Sequence, residues 1–270
     1  MRERVDLQAP KLAVITGASS GIGFELAKVF GKNDYDLVIV AENTEIFNAK
    51  EQLEAIGVDV IAYQINLADF QGVELFFEKI NSLARPLDAV AINAGVGVGG
   101  DFAEDTDLMA ELNVINLNVT SSVHLTKRVV NKMLSDSQGG RILFTSSIAA
   151  IMPGPFEAVY AASKAFIQSF ALALRNELSD SGISITALMP GPTDTNFFQR
   201  AGMTGTKVGR EKKDDPALVA QQGFDALMAG EDHVIAGSMM NKFQGVAAKL
   251  LPDAVSASMH RKMIAPNYSS

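Results

Sequence analysis

The sequence predicts an α/β fold, in which helices cover both faces of a doubly wound parallel sheet of the Rossmann type, giving a three-layer α/β/α arrangement. Short apolar runs alternate with helical patterns along most of the chain, and a glycine-rich turn directly follows the first apolar run. Such alternation is typical of βαβ units and a parallel sheet. With 270 residues, the chain is long enough for a single domain of this kind.

The first half of the chain supplies four of the predicted strands. Each is a short apolar run, and the patterns between them have the length of crossover helices. The predicted strands are 11–16, 36–41, 58–65 and 87–92, and the predicted helices are 24–30, 47–56 and 73–83.

The second half continues the alternation. We expect strands at 141–147, 184–189 and 233–236, and helices at 108–134, around Tyr160 as far as 179, and at 216–228. Residues 194–215 show no clear period, and an irregular segment of this length is more often a substrate lid or binding loop than filler. The tail, 237–270, has an uninformative composition. We treat 1–270 as one domain.

Composition excludes several classes of function. The formal net charge of −8 argues against a nucleic-acid partner, and the absence of cysteine excludes disulfides and thiolate sites. The histidines, His124, His233 and His260, are too scattered to indicate a metal site. The chain starts without an apolar signal core and has no run of membrane-spanning length, so we expect a cytoplasmic protein with no membrane partner.

A glycine-rich turn, Thr16-Gly17-Ala18-Ser19-Ser20-Gly21-Ile22-Gly23, follows the first predicted strand. Strand, glycine turn and helix form the context in which a dinucleotide pyrophosphate binds at a helix N-terminus. Gly17 would allow the tight turn, and Gly21 and Gly23 would let the backbone approach the phosphates. The spacing is Gly-x-x-x-Gly-x-Gly rather than the commoner Gly-x-Gly-x-x-Gly, and a plain connection is the alternative interpretation.

Glu42 follows the second predicted strand, where folds of this type meet the adenosine ribose. A carboxylate there would repel the 2′-phosphate of NADP, and neither the glycine turn nor this strand end contains lysine or arginine. We therefore favour NAD(H) over NADP(H) as the cofactor. The alternative is that Glu42 is a solvated acid at a helix start.

Tyr160 and Lys164 lie four residues apart in a helical pattern, so their side chains share one helix face. A nearby cation can lower the pKa of a phenol and make it a general acid or base near neutral pH. Ser147 stands at the end of the apolar run 142–147, where a buried strand would deliver its hydroxyl to the sheet edge. A tyrosine packed beneath a solvated lysine is the alternative for the pair alone.

Asparagines mark three further positions. Asn66 and Asn93 follow the third and fourth predicted strands, at the sheet edge where a ligand would bind. Asn116 lies within the long predicted helix, where helix propensity disfavours asparagine, and its presence there needs a reason.

Together these features resemble the short-chain dehydrogenase/reductase family, in its single-domain Rossmann-type branch. The resemblance covers about residues 12–236. The matching motifs are Thr16-Gly17-x-x-x-Gly21-Ile22-Gly23, Asn93-Ala94-Gly95, Asn116, Ser147, Tyr160-x-x-x-Lys164 and Pro190-Gly191, in the order and spacing of the family.

The resemblance implies an NAD(P)-dependent oxidoreductase that interconverts an alcohol and a ketone or aldehyde. Tyr160 would transfer the proton, Ser147 would hold the substrate oxygen, Lys164 would lower the tyrosine pKa and bind the nicotinamide ribose, and Asn116 would hold a water linking Lys164 to solvent. The implied cofactor-binding residues are Gly17, Ser19, Ser20, Gly21, Ile22, Gly23, Glu42, Asn66, Leu67, Asn93, Ala94, Gly95, Tyr160, Lys164, Pro190, Gly191, Thr193 and Thr195.

Two departures from the family pattern bear on the cofactor. Asn66 stands where members commonly have aspartate, and Ala41 stands where NAD-dependent members often have aspartate. The resemblance also implies a homodimer formed through the two long helices. No metal is implied.

Other functions remain open. The basic residues Lys207, Arg210, Lys212 and Lys213 could grip the acidic carrier of a 3-oxoacyl thioester, although a solvated face is the simpler interpretation. A dinucleotide-sensing regulator without turnover is disfavoured because all four catalytic residue types are present. We expect the wall around a small, mostly apolar alcohol or carbonyl substrate to include Pro153, Phe156, Phe197, Phe198 and Met203.

Overall fold

The computed structural model describes residues 10–238 and 252–265. Within these ranges, seven parallel strands form one sheet in the order β3-β2-β1-β4-β5-β6-β7. The strands are β1 (Lys11–Thr16), β2 (Tyr35–Ala41), β3 (Val60–Gln64), β4 (Ala89–Ile92), β5 (Gly140–Thr145), β6 (Ile183–Pro190) and β7 (His233–Ala236). The predicted fold class is confirmed.

Helices cover both faces of the sheet. Those given labels here are α1 (Gly21–Lys32), α2 (Glu45–Glu54), α3 (Phe70–Asn81), α4 (Leu108–Ile115), α5 (Ser121–Asp136), α6 (Ala158–Glu177), α7 (Phe197–Arg200), α8 (Lys207–Arg210), α9 (Pro216–Ala229) and α10 (Asp253–Ile264). No helix in the described part of the chain is both long enough and apolar enough to cross a bilayer.

The strands have alternating apolar side chains that build two separate cores. Ala13 and Ile15 of β1 point to the face covered by α1, α2 and α9. Leu12 and Val14 point to the opposite face, covered by α3, α5 and α6. Because both faces are buried, the sheet needs the near-continuous apolar runs from which its strands were predicted.

The first helix begins earlier than predicted. It starts at Gly21 rather than at residue 24, so two glycines of the glycine-rich turn lie within its first turn. Because glycine has low helix propensity, the sequence pattern did not predict that the helix begins here.

The long helix predicted for 108–134 is interrupted. Between α4 and α5 the residues Asn116–Thr120 form a π-helical turn, in which the wider helical loop changes the direction of the side chains around it. The strand predicted for 141–147 also ends sooner, at Thr145, because Ser147 leaves the strand and its hydroxyl caps the 3₁₀ turn Ile148–Ile151 by accepting from the Ala149 amide.

The tail predicted as 237–270 contains a helix that the sequence pattern did not reveal. Helix α10 packs against the segment that carries α8. The remainder of the tail, 239–251 and 266–270, lies outside the described residues.

Candidate active site

A cavity of about 600 Å³ opens at the carboxyl ends of the strands. All of the residues predicted to bind the cofactor line it, from the glycine turn through Glu42 and the Asn93 segment to Thr195. Ser147 of the predicted catalytic set lines the same cavity. The topology explains this convergence, because parallel strands end at a common edge and their loops meet there.

The glycine turn presents the N-terminus of α1 to the cavity. Gly17 and Gly21 have φ values of 67° and 57°, which glycine adopts without the strain of a side chain. Ser20 is the N-cap residue, but its side chain does not cap the helix, so the first amides of α1 remain available. Free amides and the helix dipole together make this end of the cavity an anion site.

The cradle around this turn is too tight for side chains. A Cβ at Gly23 would lie 2.2 Å from the Gly17 carbonyl oxygen, and a Cβ at Gly17 would lie 2.8 Å from Ala94 Cα. A Cβ at Gly21 would lie 2.9 Å from Thr195 Cγ2. The backbone therefore approaches the cavity directly, as a bound pyrophosphate requires, and these residues suit a dinucleotide.

Asn93 ties three strand ends together. Its amide nitrogen donates to the Thr16 carbonyl at 3.0 Å, and its amide oxygen accepts from the Thr145 hydroxyl at 3.0 Å. The Thr16 hydroxyl in turn accepts from the backbone amides of Asn93 and Ala94, both at 2.9 Å. These bonds fix the loop that lines the middle of the cavity.

The predicted ribose end of the cavity lies at the tips of β2 and β3. Glu42 is exposed there, and its carbonyl accepts from the Gln64 side chain at 3.1 Å. Asn66 uses its own amide in a local turn, donating to Asp69 at 2.9 Å and accepting from the Ala68 amide at 3.0 Å. Its side chain is thus already engaged in the protein rather than turned freely toward an adenine.

Tyr160 and Lys164 are both buried beside the cavity, with 9% and 5% of their surfaces exposed. Lys164 Nζ lies 5.8 Å from the centroid of the Tyr160 ring and donates to the Thr145 carbonyl at 2.9 Å. Ser147 is also 9% exposed. The structure therefore brings together the three side chains that the sequence suggested.

Burial sets the acidity of these groups. It raises the pKa of the Tyr160 phenol well above its usual value, the nearby Glu157 carboxylate adds to the rise, and hydrogen bonding with Ser147 opposes it. Burial also lowers the pKa of Lys164 to about 8. The tyrosine pKa is thus raised rather than lowered as the sequence led us to expect, and loss of hydration is the largest cause.

Asn116 does not belong to this group. It is exposed, whereas Asn118, two residues later, is 1% exposed and packs inside the protein. Asn118 accepts from the Val96 amide and donates to the Val96 carbonyl and to the Ser163 hydroxyl, each at 2.9 Å. A Cβ at Gly95 would lie 3.1 Å from both Asn118 Oδ1 and Lys164 Nζ. The placement of Asn116 in the site is corrected to Asn118.

The other half of the cavity, beyond Tyr160, is mostly apolar, and we call it the substrate half. Its walls include Ala149, Met152, Phe197 and Met203, together with residues of α10. The Phe197 ring packs against the Tyr160 ring with centroids 5.1 Å apart. Of the expected wall residues, Phe197, Phe198 and Met203 line the cavity, but Pro153 and Phe156 do not.

The basic residues of the 194–215 segment are largely engaged in local contacts. Lys207 lies 3.7 Å from Glu211, Arg210 donates to the Gly205 carbonyl, and Lys213 donates to the Gly209 carbonyl and lies over the Phe198 ring. Lys212 lines the cavity. This arrangement gives no particular support to a grip on an acidic carrier.

Comparison with known proteins agrees with this geometry. The family model for short chain dehydrogenases matches residues 11–204. The dehydrogenase/reductase SDR family protein 7-like of Drosophila melanogaster is 29% identical over 255 residues, which are 90% of this chain and 77% of that protein. A short-chain dehydrogenase from Sphingobium yanoikuyae, solved with NADPH, is 26% identical with a TM-score of 0.78 and covers 96% of this chain and 98% of its own.

A short-chain dehydrogenase/reductase from Burkholderia phymatum, solved with NAD, shares the fold at a TM-score of 0.79 and 21% identity, covering 90% of this chain and 92% of its own. The chain belongs to the short-chain dehydrogenase family. The predicted family is confirmed, and this short-chain dehydrogenase is an oxidoreductase that uses a nicotinamide dinucleotide.

The helical spacing of the residues around Asn118 could have identified it as the site asparagine of this short-chain dehydrogenase. The buried residues from α4 to α5 recur at helical spacing and include Val114, Asn118, Ser122, Leu125 and Val129. Asn116 falls outside this series. A count of helical phase from the apolar residues would have selected the second asparagine.

The sequence analysis gave no role in the site to three polar side chains that line the cavity: Asn43, Glu157 and His260. Asn43 lines the ribose end, and its Oδ1 is buried without a hydrogen-bond partner among the described residues, which makes it a candidate ligand of the cofactor. Glu157 and His260 line the substrate half. His260 comes from α10, and no local pattern could place that helix over the site.

No group of three or more histidine, aspartate or glutamate side chains in the described ranges is arranged as a metal site.

Proposed function

We propose that this short-chain dehydrogenase interconverts an alcohol and a ketone or aldehyde, with Tyr160 as the general acid or base. The observation that carries the proposal is the burial of Tyr160, Ser147 and Lys164 beside one cavity that also contains the glycine turn. The bound nicotinamide would supply or accept the hydride. The protein would bind and orient both reactants and move the proton.

Each side chain has a role in this proposal. Ser147 would hold the substrate oxygen by a hydrogen bond, and Tyr160 would exchange a proton with that oxygen. Lys164 would bind the nicotinamide ribose, while its bond to the Thr145 carbonyl fixes its position. Asn118, rather than Asn116, would connect Lys164 to solvent through a water, because both polar groups meet beside Gly95.

The raised pKa of Tyr160 suits the acid role. A phenol that stays protonated at neutral pH can donate to the oxygen of a carbonyl as hydride arrives at carbon. In the opposite direction, the same group must first lose its proton, so alcohol oxidation would gain from alkaline pH.

We infer a preference for NAD(H) from the position of Glu42. Its carboxylate lies at the tip of β2 and lines the cavity, where a 2′-phosphate would meet like charge. Arg200 stands elsewhere, with Nη2 3.5 Å from the Ser20 hydroxyl, which supports contact with the pyrophosphate rather than with the ribose.

We also infer a homodimer. Large apolar side chains on α4 and α6 are exposed, among them Leu108, Met109, Leu112 and Phe166. A surface of this composition is typical of an interface between subunits.

The decisive experiment replaces Tyr160 with phenylalanine. NADH binding, measured by fluorescence, should be retained because the glycine turn is untouched, whereas turnover on a panel of ketones and aldehydes should fall by about 10²- to 10⁴-fold. Turnover equal to that of the unmodified protein would defeat the mechanism. If the unmodified protein binds NADH but reduces no carbonyl compound, a dinucleotide sensor would replace the enzyme as the better proposal.

A further inference from the structure

Helix α10 closes the substrate half of the cavity. Ser256, Met259, His260, Met263 and Ile264 all contribute to its wall. Most of these are apolar, and so is the wall opposite them. The substrate half therefore suits a substrate with an apolar body.

Within this apolar surface lies one buried polar pair, formed by Glu157 and His260. Their side chains are 5% and 6% exposed, and His260 Nε2 lies 2.9 Å from Glu157 Oε1. The contact is close but not aligned as a hydrogen bond, and Nε2 has no other hydrogen-bond partner among the described residues. A buried nitrogen with this unused capacity is expected to have a partner, and the cavity is the space that can hold it.

The pair is not required to attach α10 to the protein. Ile264 and Met263 pack into an apolar cluster with Phe198, Met203 and Val208. On the outer side, the Arg261 guanidinium lies 4.9 Å from the centroid of the Phe156 ring. Since a buried polar pair rarely stabilises a fold more than an apolar pair would, the presence of this one points to a ligand.

The loop before α6 brings Glu157 into place. Phe156 has a φ of 67°, a left-handed conformation that is strained for an aromatic residue. Next to it, a Cβ at Gly154 would lie 2.5 Å from Ala161 Cβ and 3.4 Å from His260 Nε2. The loop therefore packs directly beneath the histidine, and its strain is located where Glu157 turns toward the cavity.

We propose that Glu157 and His260 form a second polar anchor in the substrate half, which binds a hydroxyl group of the substrate remote from the reacting carbon. The inference rests on the proposed oxidoreductase function and names its substrate class: a hydroxy ketone, hydroxy aldehyde or diol with an otherwise apolar body. Glu157 and His260 select the substrate in this scheme and take no part in proton transfer.

A hydroxyl is the group that satisfies both members of the pair. It can donate its proton to the Glu157 carboxylate while its oxygen accepts from the His260 ring nitrogen. A carboxylate on the substrate would meet the like charge of Glu157, and a methyl group would leave both members unpaired.

The position of the pair also limits the substrate. Glu157 is the N-cap residue of α6 and precedes Tyr160 by only three positions, so the two residues are close in the chain. The effect of the Glu157 charge on the Tyr160 phenol is consistent with that closeness. The second hydroxyl therefore lies only a few bonds from the reacting carbon.

Two alcohols test the proposal: a phenyl-bearing diol, and its analogue in which the hydroxyl remote from the reacting carbon is replaced by hydrogen. Their binding to the complex of the protein with NADH is followed by the fluorescence of bound NADH, and kcat/KM is measured for their oxidation with NAD. We expect at least about tenfold preference for the diol, because a site built for a hydroxyl rejects the analogue that lacks it.

The double variant Glu157→Met/His260→Phe replaces the pair with apolar side chains and leaves no unpaired charge. It should lose the preference while it binds the analogue as well as the unmodified protein does. Lys262→Gln, an exposed change on the same helix, is the control and should keep the preference.

Three outcomes overturn the proposal. They are equal binding of both alcohols by the unmodified protein, a preference that persists in the double variant, and a loss in that variant that is equal for both alcohols, which would show a structural role alone. Failure of both NADH and NADPH to bind would instead defeat the proposed function, and it would be visible before any alcohol is added.

Discussion

At the scale of single residues, Asn118 forms hydrogen bonds to two other segments of the chain beside the site. Its amide bonds to Val96 on the loop after β4 and to Ser163 on α6, and it approaches Lys164 beside Gly95. The Ser163 hydroxyl in turn donates to the Tyr160 carbonyl at 2.7 Å. One asparagine thus joins three segments of the chain around the catalytic lysine.

Asn118→Ala should be costly in two ways. It removes the side chain that pairs with the Val96 amide and carbonyl, and one of the two hydrogen bonds of the Ser163 hydroxyl, which we expect to lower the free energy of unfolding by about 1–3 kcal/mol. It should also lower kcat, because it would remove the proposed water link between Lys164 and solvent. Urea unfolding and steady-state kinetics measure the two effects.

Asn116→Ala is the matched control, since that side chain is exposed and only two positions away. Its unfolding free energy should change by no more than about 0.5 kcal/mol. Loss of activity in Asn116→Ala but not in Asn118→Ala would show that Asn116, and not Asn118, serves Lys164.

Glu42→Arg tests cofactor choice at the tip of β2. An arginine there would attract the 2′-phosphate that the carboxylate repels, so the ratio of NADPH to NADH affinity should rise by about tenfold or more. Fluorescence titration with each cofactor gives the ratio. An unchanged ratio would remove Glu42 from the selectivity argument.

At the scale of elements, the glycine turn and α1 act as one unit. The glycines of the turn have low helix propensity, but they let the backbone lie directly at the cavity. Gly23 is the most tightly packed of them. The Gly17 carbonyl and the Asn93 side-chain amide occupy the space that a side chain at Gly23 would fill.

Gly23→Ala should therefore shift the turn away from its position. A Cβ 2.2 Å from the Gly17 carbonyl oxygen cannot be accommodated by a side-chain movement, so we expect a loss of about 1–3 kcal/mol in stability and weaker NADH binding. Gly205→Ala is the control, because a Cβ there meets nothing within 4 Å. Calorimetric melting and NADH titration of both variants make the comparison, and equal behaviour would show that the turn tolerates displacement.

The elements differ in how far the sequence revealed them. Strands of a doubly covered sheet are continuous apolar runs, and all seven strand positions were predicted with shifts of a few residues at the ends. The start of α1 at Gly21 was missed because glycine disfavours helix in isolation, and the π-helical turn at Asn116 was missed because its cause is not a local pattern. Helix α10 is held in place by contacts with distant segments. Its own residues therefore could not show which of its faces lies against the protein.

At the scale of the whole molecule, the exposed apolar surface on α4 and α6 needs a cover. If that cover is a second copy of the chain, the double variant Met109→Glu/Leu112→Glu should dissociate the dimer, because burying two carboxylates in each copy of an interface is costly. Sedimentation velocity would follow the change in mass.

The control places a charge elsewhere. Leu218→Glu alters a similarly exposed apolar side chain on α9, and it should leave the mass unchanged. A protein that is already a monomer before any substitution would rule out the dimer.

Most site residues could be predicted as a set because the parallel sheet gathers strand ends at one edge, where the chain pattern places the glycine turn, Asn93 and Ser147. Tyr160, on a helix, was predicted from its spacing to Lys164 and from the resemblance to the family. The choice between Asn116 and Asn118 needed the helical phase of the buried residues, which the sequence analysis did not count. The pairing of Glu157 with His260 across about a hundred residues of chain depends on packing rather than on local order.

The segment 194–215 begins and ends at nearly the same place. The Asp194 amide donates to the Asp214 carbonyl at 2.8 Å, and the Asp214 amide donates to the Pro192 carbonyl at 2.9 Å, so the two ends are pinned to each other. An excursion closed at its base can change in length and composition without moving the strands that support it. Residues 194–215 could therefore be replaced by the equivalent segment of another family member. Such an exchange would alter the substrate specificity and leave the residues around the cofactor unchanged.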